Sequence, residues 1–468
     1  MRFPAALLTL ASFSFVVAGA SLIHDDLQYA AFGEEALERA RSPETVMQLH
    51  MMTDKGLAGM GAVCLDGSDA GFYFAPASDP KNANDWQIYF QGGGWCYDEI
   101  DCWGRSNGVL GSSANWSQSA ALSGIMSDNC TTNPDFCNFN RVHLTYCDGN
   151  SFSGNADQPL VVKGLDGKDK PLYFRGRRIL DAVLETLFTM GLNKAERVLL
   201  TGCSAGGLAA FLHTDYVHTQ LKAFAPSLTQ FKSSPISGFF LLHDNVEHKP
   251  VYPEQMKYIF NLANSTHGLN DKCIAAASDE DKWKCNFAEI VYAFTDAPIF
   301  PLNSAKDSWQ TGCILAPEFT AVYPQQTTAD NGNCSAVPGW KDCANFIEDL
   351  NGCSASQKAA LNGYIDDFET ILTGSHTYIK PGNGAFIHTC HTHCEAESDA
   401  WNKFTVGGVT MQQAFSKWWN SDSDPAETHN HNPCTYDKSD AKFQCKPSCE
   451  ESLASSEQLT IGEPQFLV

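Results

Sequence analysis

The residues of this chain best suited to chemistry are Gly202-Cys203-Ser204-Ala205-Gly206. A serine flanked by small residues, where a strand turns into a helix, presents its hydroxyl on a sharp bend at the end of a sheet. The apolar run Arg197-Val198-Leu199-Leu200-Thr201 precedes it, and the helix-compatible Leu208-Ala209-Ala210-Phe211-Leu212 follows. The pentapeptide alone is a weak signal, because glycine is common enough to produce it by chance. The flanking strand and helix favour the nucleophile reading.

A serine hydroxyl is a poor nucleophile at neutral pH. It needs a base within hydrogen-bond reach and an acid to orient that base. Where the nucleophile sits on such an elbow, the acid follows it in the chain and the histidine follows the acid. The best-placed acid is Asp307, in Lys306-Asp307-Ser308-Trp309-Gln310, just past the apolar segment Pro298-Ile299-Phe300-Pro301-Leu302. Asp296 lies before that segment, and Asp366 and Asp367 lie on a polar, helix-like stretch, so these are worse placed. Asp307 could equally serve as a helix N-cap. The base should come later still. Phe386 to Cys394 offers His388, His391 and His393 after the turn Gly382-Asn383-Gly384, and spacing does not choose among them. Histidine and cysteine together are zinc ligands. In a secreted chain with an even cysteine count, oxidation of Cys390 and Cys394 is the expected use instead, their partners being left open by the sequence, and the chemistry requires no metal or cofactor.

The third requirement is a pair of backbone N–H donors aimed at the developing oxyanion. Ala205, directly after the serine, supplies one. Gly92-Gly93-Gly94-Trp95, after an early strand, is placed to supply the second, through Gly93 and Gly94. Cys203 is expected as a buried sulfur pointing away from Ser204, with disulfide pairing as the alternative. Trp95, Tyr97, Trp103 and Trp309 could offer stacking surfaces to a sugar, although aromatic rings more often fill cores.

These residues need a frame. Gly71–Ala75, Trp86–Gln91, Val142–Tyr146 and Pro298–Leu302 read as strands that end in loops. Ile179, Leu180, Val183, Leu184, Leu187 and Phe188 form one apolar helical face, with Gly191 as a stop. Strands alternating with helices predict an α/β fold, a mainly parallel central sheet with helices on both faces. Such sheets place their sites beyond the carboxyl ends of strands, where the serine, the glycine run and the segment from Asn303 to Asp307 all fall.

Met1-Arg2, an apolar stretch from Pro4 to Val17 and Ala18-Gly19-Ala20 read as a secretory signal peptide over residues 1–20. No other segment approaches the roughly 20 apolar residues of a membrane span. The chemistry spreads from residue 92 to residue 394 without a linker or repeat, so residues 21–468 are expected to form one domain, with a cysteine-rich segment at about 430–450. All 18 cysteines lie beyond the leader, as in a disulfide framework with long stapled loops. Asn115, Asn129, Asn264 and Asn333 open N-x-S/T sequons. The net charge of −23 argues against nucleic acid and anionic membrane as partners. A monomer is expected.

The wider pattern resembles the pectin acetylesterase family, which includes the Notum-type carboxylesterases. The resemblance is carried by Gly92-Gly93-Gly94-Trp95-Cys96 with Cys102, Leu110-Gly111-Ser112-Ser113, Asn133-Pro134-Asp135-Phe136, and Asn140-Arg141 with Tyr146-Cys147-Asp148-Gly149. Phe174-Arg175-Gly176, Gly202 to Leu208, Asp307-Ser308-Trp309-Gln310 and Cys390-x-x-His393-Cys394 complete it. It implies an α/β-hydrolase-like fold and removal of acyl groups from esters. It assigns the nucleophile to Ser204, the acid to Asp307, the base to His393, and the oxyanion donors to the Gly93–Gly94 loop and Ala205. Two positions depart from the family pattern. Gln91 stands where the family has glutamate, and Ser237 to His243 replaces an acidic stretch of the plant members. The implied function is a secreted serine carboxylesterase acting on acetylated wall polysaccharide, pectin first. A Notum-like deacylase of a lipidated protein and a non-catalytic polysaccharide-binding wall protein are the alternatives.

Overall fold

The computed structural model describes residues 46–318, 334, 337–340, 343, 353–420 and 429–431. The leader over residues 1–20, the Asn333 sequon and the cysteine-rich segment beyond residue 431 lie outside the described residues.

The strands, in chain order, are β1 (Met47–Met51), β2 (Gly71–Ala75), β3 (Asp85–Phe90), β4 (Ser119–Ala120), β5 (Asn140–Leu144), β6 (Leu160–Lys163), β7 (Asp169–Leu172), β8 (Arg197–Cys203), β9 (Gln230–Ile236), β10 (Leu302–Ser304), β11 (Ala385–His388), β12 (Thr405–Val406), β13 (Val409–Thr410) and β14 (His429–His431). Ten of them form one sheet in the order β14-β11-β10-β9-β8-β3-β5-β2-β1-β4. Neighbours from β14 to β5 pair in parallel, and β2, β1 and β4 close one edge antiparallel. The sheet is therefore mainly parallel, as the alternation of strands and helices implied, and α/β-hydrolase-like, as the family resemblance implied.

Parallel strands covered on both faces are apolar without alternation. In β3 every residue is buried, and in β8 every residue after Arg197. Alternate residues feed two cores. Ile88, Phe90, Val198 and Leu200 join one with the helices Gly176–Thr189 and Ala205–Phe224. Tyr89, Leu199 and Cys203 join the other, with Phe415 and Trp418 of the helix Met411–Trp419. The helix read around Ile179 to Phe188 spans Gly176–Thr189 and buries Ile179, Leu180, Val183, Leu184 and Leu187. Gly191 follows it with φ +117°.

One strand differs from the sequence reading. Pro298–Leu302 is not itself the strand, because β10 begins at its last residue and runs to Ser304. Prolines at 298 and 301 have no N–H to give a ladder, and Ile299 makes only an isolated bridge to Ser233. The cysteine pairing, which spacing left open, is seen in the structure. Cys394 is bonded to Cys203, not to Cys390, across a sequence separation of 191, and Cys390 is oxidised as well. The loop after β11 turns back over the sheet and brings residue 394 to the elbow. The other described pairs are 64–147, 96–102, 130–137, 273–285, 313–334 and 343–353. Asn115, Asn129 and Asn264 are exposed.

The glycines of Gly202-x-Ser204-x-Gly206 are explained by close approach. A Cβ on Gly206 would sit 2.0 Å from the Phe90 carbonyl oxygen, and one on Gly202 would sit 2.6 Å from the Gly206 carbonyl oxygen. Gly206→Ala is therefore expected to destabilise the fold by about 1–3 kcal/mol, read as a lower denaturant midpoint at unchanged slope. An unaltered midpoint would show that the sheet and helix can separate here without cost.

Candidate active site

Ser204 follows the last residue of β8 and caps the helix Ala205–Phe224 with φ +59° and ψ −127°. A non-glycine residue in this region costs of order 1–3 kcal/mol and persists only where the surroundings enforce it. β8 on one side, the helix on the other and the Cys203–Cys394 bond beneath enforce it here. Ser204 is buried, and its Oγ has no hydrogen-bond partner among the described residues.

Asp307 lies three residues beyond β10, fully buried. Both readings of this residue hold. Its Oδ1 accepts from the Gln310 N–H at 3.0 Å and caps the short helix Ser308–Gln310. Its Oδ2 accepts from His393 Nδ1 at 2.7 Å. That bond fixes the tautomer, leaving Nε2 as the basic nitrogen.

The three histidines that spacing left equivalent are separated by their partners. His388 Nε2 donates to Glu395 Oε1 at 2.6 Å, while its Nδ1 accepts from the Cys390 N–H. His391 pairs with the Thr311 hydroxyl at 3.0 Å. Only His393 faces Asp307, and it sits beside the serine elbow. The Cα atoms of Cys203 and Cys394 are 5.7 Å apart, and a ring nitrogen of His393 lies within 4.8 Å of both sulfurs. These three residues have the donor set of a soft-metal site, but sulfurs joined in a disulfide cannot act as thiolate ligands.

Burial pulls the His393 pKa down, but the charge and hydrogen bond of Asp307, with Glu395 and Glu397 behind, outweigh it. The net shift is upward from 6.5. Burial likewise raises the Asp307 carboxyl, against the pull of His393 and the Gln310 N–H. The pair forms one coupled unit in a dry pocket.

Gly93 and Gly94 adopt φ +131° and +60°, conformations that suit glycine. Their N–H groups, and that of Ala205, donate to no acceptor among the described residues. A Cβ on Gly92 would meet Ser204 Cβ at 2.9 Å, so the glycine run abuts the elbow. Trp95 and Trp309 are buried and meet edge-to-face at 5.4 Å. Phe240 joins them at 5.0 and 5.2 Å and reaches the His393 ring at 6.3 Å. Tyr252 closes the cluster, 5.8 Å from Trp95 and 5.9 Å from Trp309. Trp103 instead packs against Gly164 of the β6–β7 hairpin. The Gln91 side-chain carbonyl accepts from the Tyr146 N–H at 2.9 Å, a role that needs no charge. Arg105, Tyr146, Ser151 and Glu395 support these loops and were not singled out by sequence. Only Tyr146 lay in a motif, and nothing in the type or spacing of the others marks them.

Comparison with known proteins bears on this arrangement. The pectinacetylesterase family model matches residues 40–450. Pectin acetylesterase 7 of Arabidopsis thaliana is 34% identical over 363 residues, covering 77% of this chain and 84% of that protein. Palmitoleoyl-protein carboxylesterase notum2 of Xenopus laevis is 29% identical over 365 residues, covering 76% and 64%. The solved structure of the Wnt deacylase Notum from Drosophila superposes with a TM-score of 0.60 at 20% identity, covering 80% and 93%, and shares the fold. The match over most of its length makes this chain a member of the pectinacetylesterase family, a carboxylic ester hydrolase acting on acetyl or acyl esters.

Proposed function

We propose that the protein is a secreted serine esterase that removes acetyl groups from an extracellular polysaccharide, pectin being the first candidate. The observation that carries the reading is the Asp307–His393 hydrogen bond, held against the Ser204 elbow by the Cys203–Cys394 bond. Ser204 Oγ attacks the acetyl carbonyl carbon while His393 Nε2 takes its proton. The charge on the former carbonyl oxygen is held by N–H groups of Ala205 and the Gly93–Gly94 loop, each worth about 3 kcal/mol in such sites. As the tetrahedral intermediate collapses, the bond to the sugar oxygen breaks and His393 returns the proton to that oxygen. Water, deprotonated by His393, then attacks the acetyl-enzyme and releases acetate. Asp307 stays ionised and stabilises the imidazolium throughout.

An acetyl substrate is favoured over a long acyl chain by the rings beside His393. Trp95, Phe240, Trp309 and Tyr252 are all buried and in mutual contact, so side chains fill the space between them. The Notum-like reading would need that space open. A non-catalytic wall protein would have no use for a strained serine beside a buried carboxylate–imidazole pair. A leader over residues 1–20, a single esterase domain over 21–468 and a monomeric state complete the proposal. Seven disulfides and three exposed sequons among the described residues support an oxidising, glycosylating route.

Ser204→Ala is expected to lower acetate release from acetylated pectin by at least about 10³-fold, with xylan and chitin acetates as comparison substrates. Retained release would remove Ser204 as nucleophile. Among p-nitrophenyl esters, kcat/KM should fall steeply from acetyl to octanoyl, and Phe240→Ala should narrow that gap by about tenfold or more. A wild-type preference for octanoyl would instead favour the lipid deacylase.

His393 must be neutral to accept a proton, and its pKa is raised. The acid limb of kcat/KM should therefore have its midpoint above 6.5 and fall about tenfold per pH unit below it. Asp307→Asn removes the largest upward influence and leaves burial, so the midpoint should move to lower pH while activity drops by about 10⁴. A limb unmoved in Asp307→Asn would dissociate Asp307 from the base.

A further inference from the structure

Oxyanion donors work only if they are aimed before the reaction starts, and a run of three glycines is the least able of any sequence to aim itself. Its fixing must come from outside. Two of its carbonyls are held by buried side chains. Arg105 Nη2 donates to the Gly93 carbonyl at 2.7 Å. The Tyr146 hydroxyl donates to the Gly94 carbonyl at 2.8 Å. A peptide unit is planar and trans, so a carbonyl held on one side sends the next residue's N–H to the other. Arg105 thus sets the direction of the Gly94 N–H, and Tyr146 fixes the following peptide unit, so both units that flank the Gly94 Cα are held.

Both side chains are themselves pinned. Arg105 Nε donates to the Leu110 carbonyl at 3.1 Å, and its guanidinium lies 4.9 Å over the Tyr146 ring. The Tyr146 hydroxyl accepts from the Ser151 N–H at 3.0 Å, at a backbone position with φ +48°. The Ser151 hydroxyl accepts from Trp95 Nε1 and donates to the Ala205 carbonyl, both at 2.8 Å. The Cys96–Cys102 bond ties the glycine run to the helix that ends in Arg105, and Cys64–Cys147 anchors the residue after Tyr146. One network therefore joins the glycine loop to the residue after the nucleophile.

We infer that Arg105 and Tyr146 are positioning residues for transition-state stabilisation, acting through the peptide units of Gly93 and Gly94 without touching substrate. The inference rests on the serine-esterase reading. Tyr146→Phe keeps the ring under Arg105 and removes only the hydroxyl. Arg105→Lys keeps a charge and loses the paired donors. Each variant would be assayed on p-nitrophenyl acetate, and for inhibition by trifluoroacetone, whose hemiketal with Ser204 mimics the tetrahedral intermediate. Expected is a fall in kcat of about tenfold or more with KM within about twofold, matched by an equal loss of trifluoroacetone affinity. Active-site titration with a fluorophosphonate corrects for any misfolded fraction, and Arg105→Lys carries the test if Tyr146→Phe does not fold. Unchanged kcat, or a lowered kcat with unchanged trifluoroacetone affinity, overturns the inference. Ser204→Ala, assayed alongside, tells this failure from that of the underlying reading, which falls only if that variant stays active.

Discussion

The structure depends on one covalent link, between the residue before Ser204 and the residue after His393. Ser204 follows β8 and His393 lies in the loop after β11, and β9 and β10 lie between these strands. Three strand spacings amount to about 14 Å, too far for an imidazole to reach a serine from its own strand end. The loop after β11 must therefore travel back over the ends of its neighbours. Its hydrogen bonds trace the path. The Ser304 hydroxyl, at the end of β10, donates to the Cys390 carbonyl, and the Ser308 N–H donates to the Thr392 carbonyl. The Cys394 N–H donates to the Ser237 hydroxyl just past β9. The path ends at Cys203 on β8. Closing a loop of this length removes roughly 5 kcal/mol of chain entropy from the unfolded state. More to the point, it makes the convergence of serine and imidazole part of the covalent structure.

Burying charge beside that link has a cost, and the site meets it with paired groups. Asp307 divides its two oxygens between a helix N-terminus and an imidazole, so one carboxylate both fixes its own loop and orients the His393 ring. Behind it, His388 and Glu395 form a second buried pair, and Glu395 also accepts from the Thr392 and Ser237 hydroxyls. Burial would raise the Glu395 carboxyl, but His388, its own backbone N–H and His393 hold it below its usual range. Its charge then helps raise His393. Breaking such a pair leaves an uncompensated charge, which is far worse than never having had one. The His393 loop is thus closed on itself, because the pair joins His388, where β11 ends, to the residue after Cys394.

What could be read from the sequence divides along the same line. The elbow, the glycine run and the helix around Ile179 were legible because local pattern determines them: small residues at a sharp turn, apolar residues at helical spacing. The order of serine, acid and histidine was legible because a parallel sheet puts strand ends on one side. His388, His391 and His393 could not be told apart from spacing, because the difference lies in Glu395, Thr311 and Asp307, partners up to 86 residues away. The Cys203–Cys394 pairing was not legible for the same reason, since the two residues are 191 positions apart. Arg105 was invisible because its role is to hold a backbone carbonyl on another loop, and nothing in the local sequence shows that an arginine there is buried rather than solvated.

Placing a site on loops beyond a sheet allows residues to come from many strands, but loops are the least rigid part of a fold. This chain stiffens nearly every such loop at the point where it carries function. Cys96 follows the glycine run, Cys147 follows Tyr146, Cys203 precedes Ser204, Cys313 lies six residues past Asp307, and Cys394 follows His393. Each sulfur sits beside the residue it steadies, so the cross-links do more than raise overall stability. They replace, loop by loop, the hydrogen-bond ladder that ends where the strands end. An esterase of this design suits an oxidising compartment, because geometry that other folds obtain from packing is here written partly in covalent bonds.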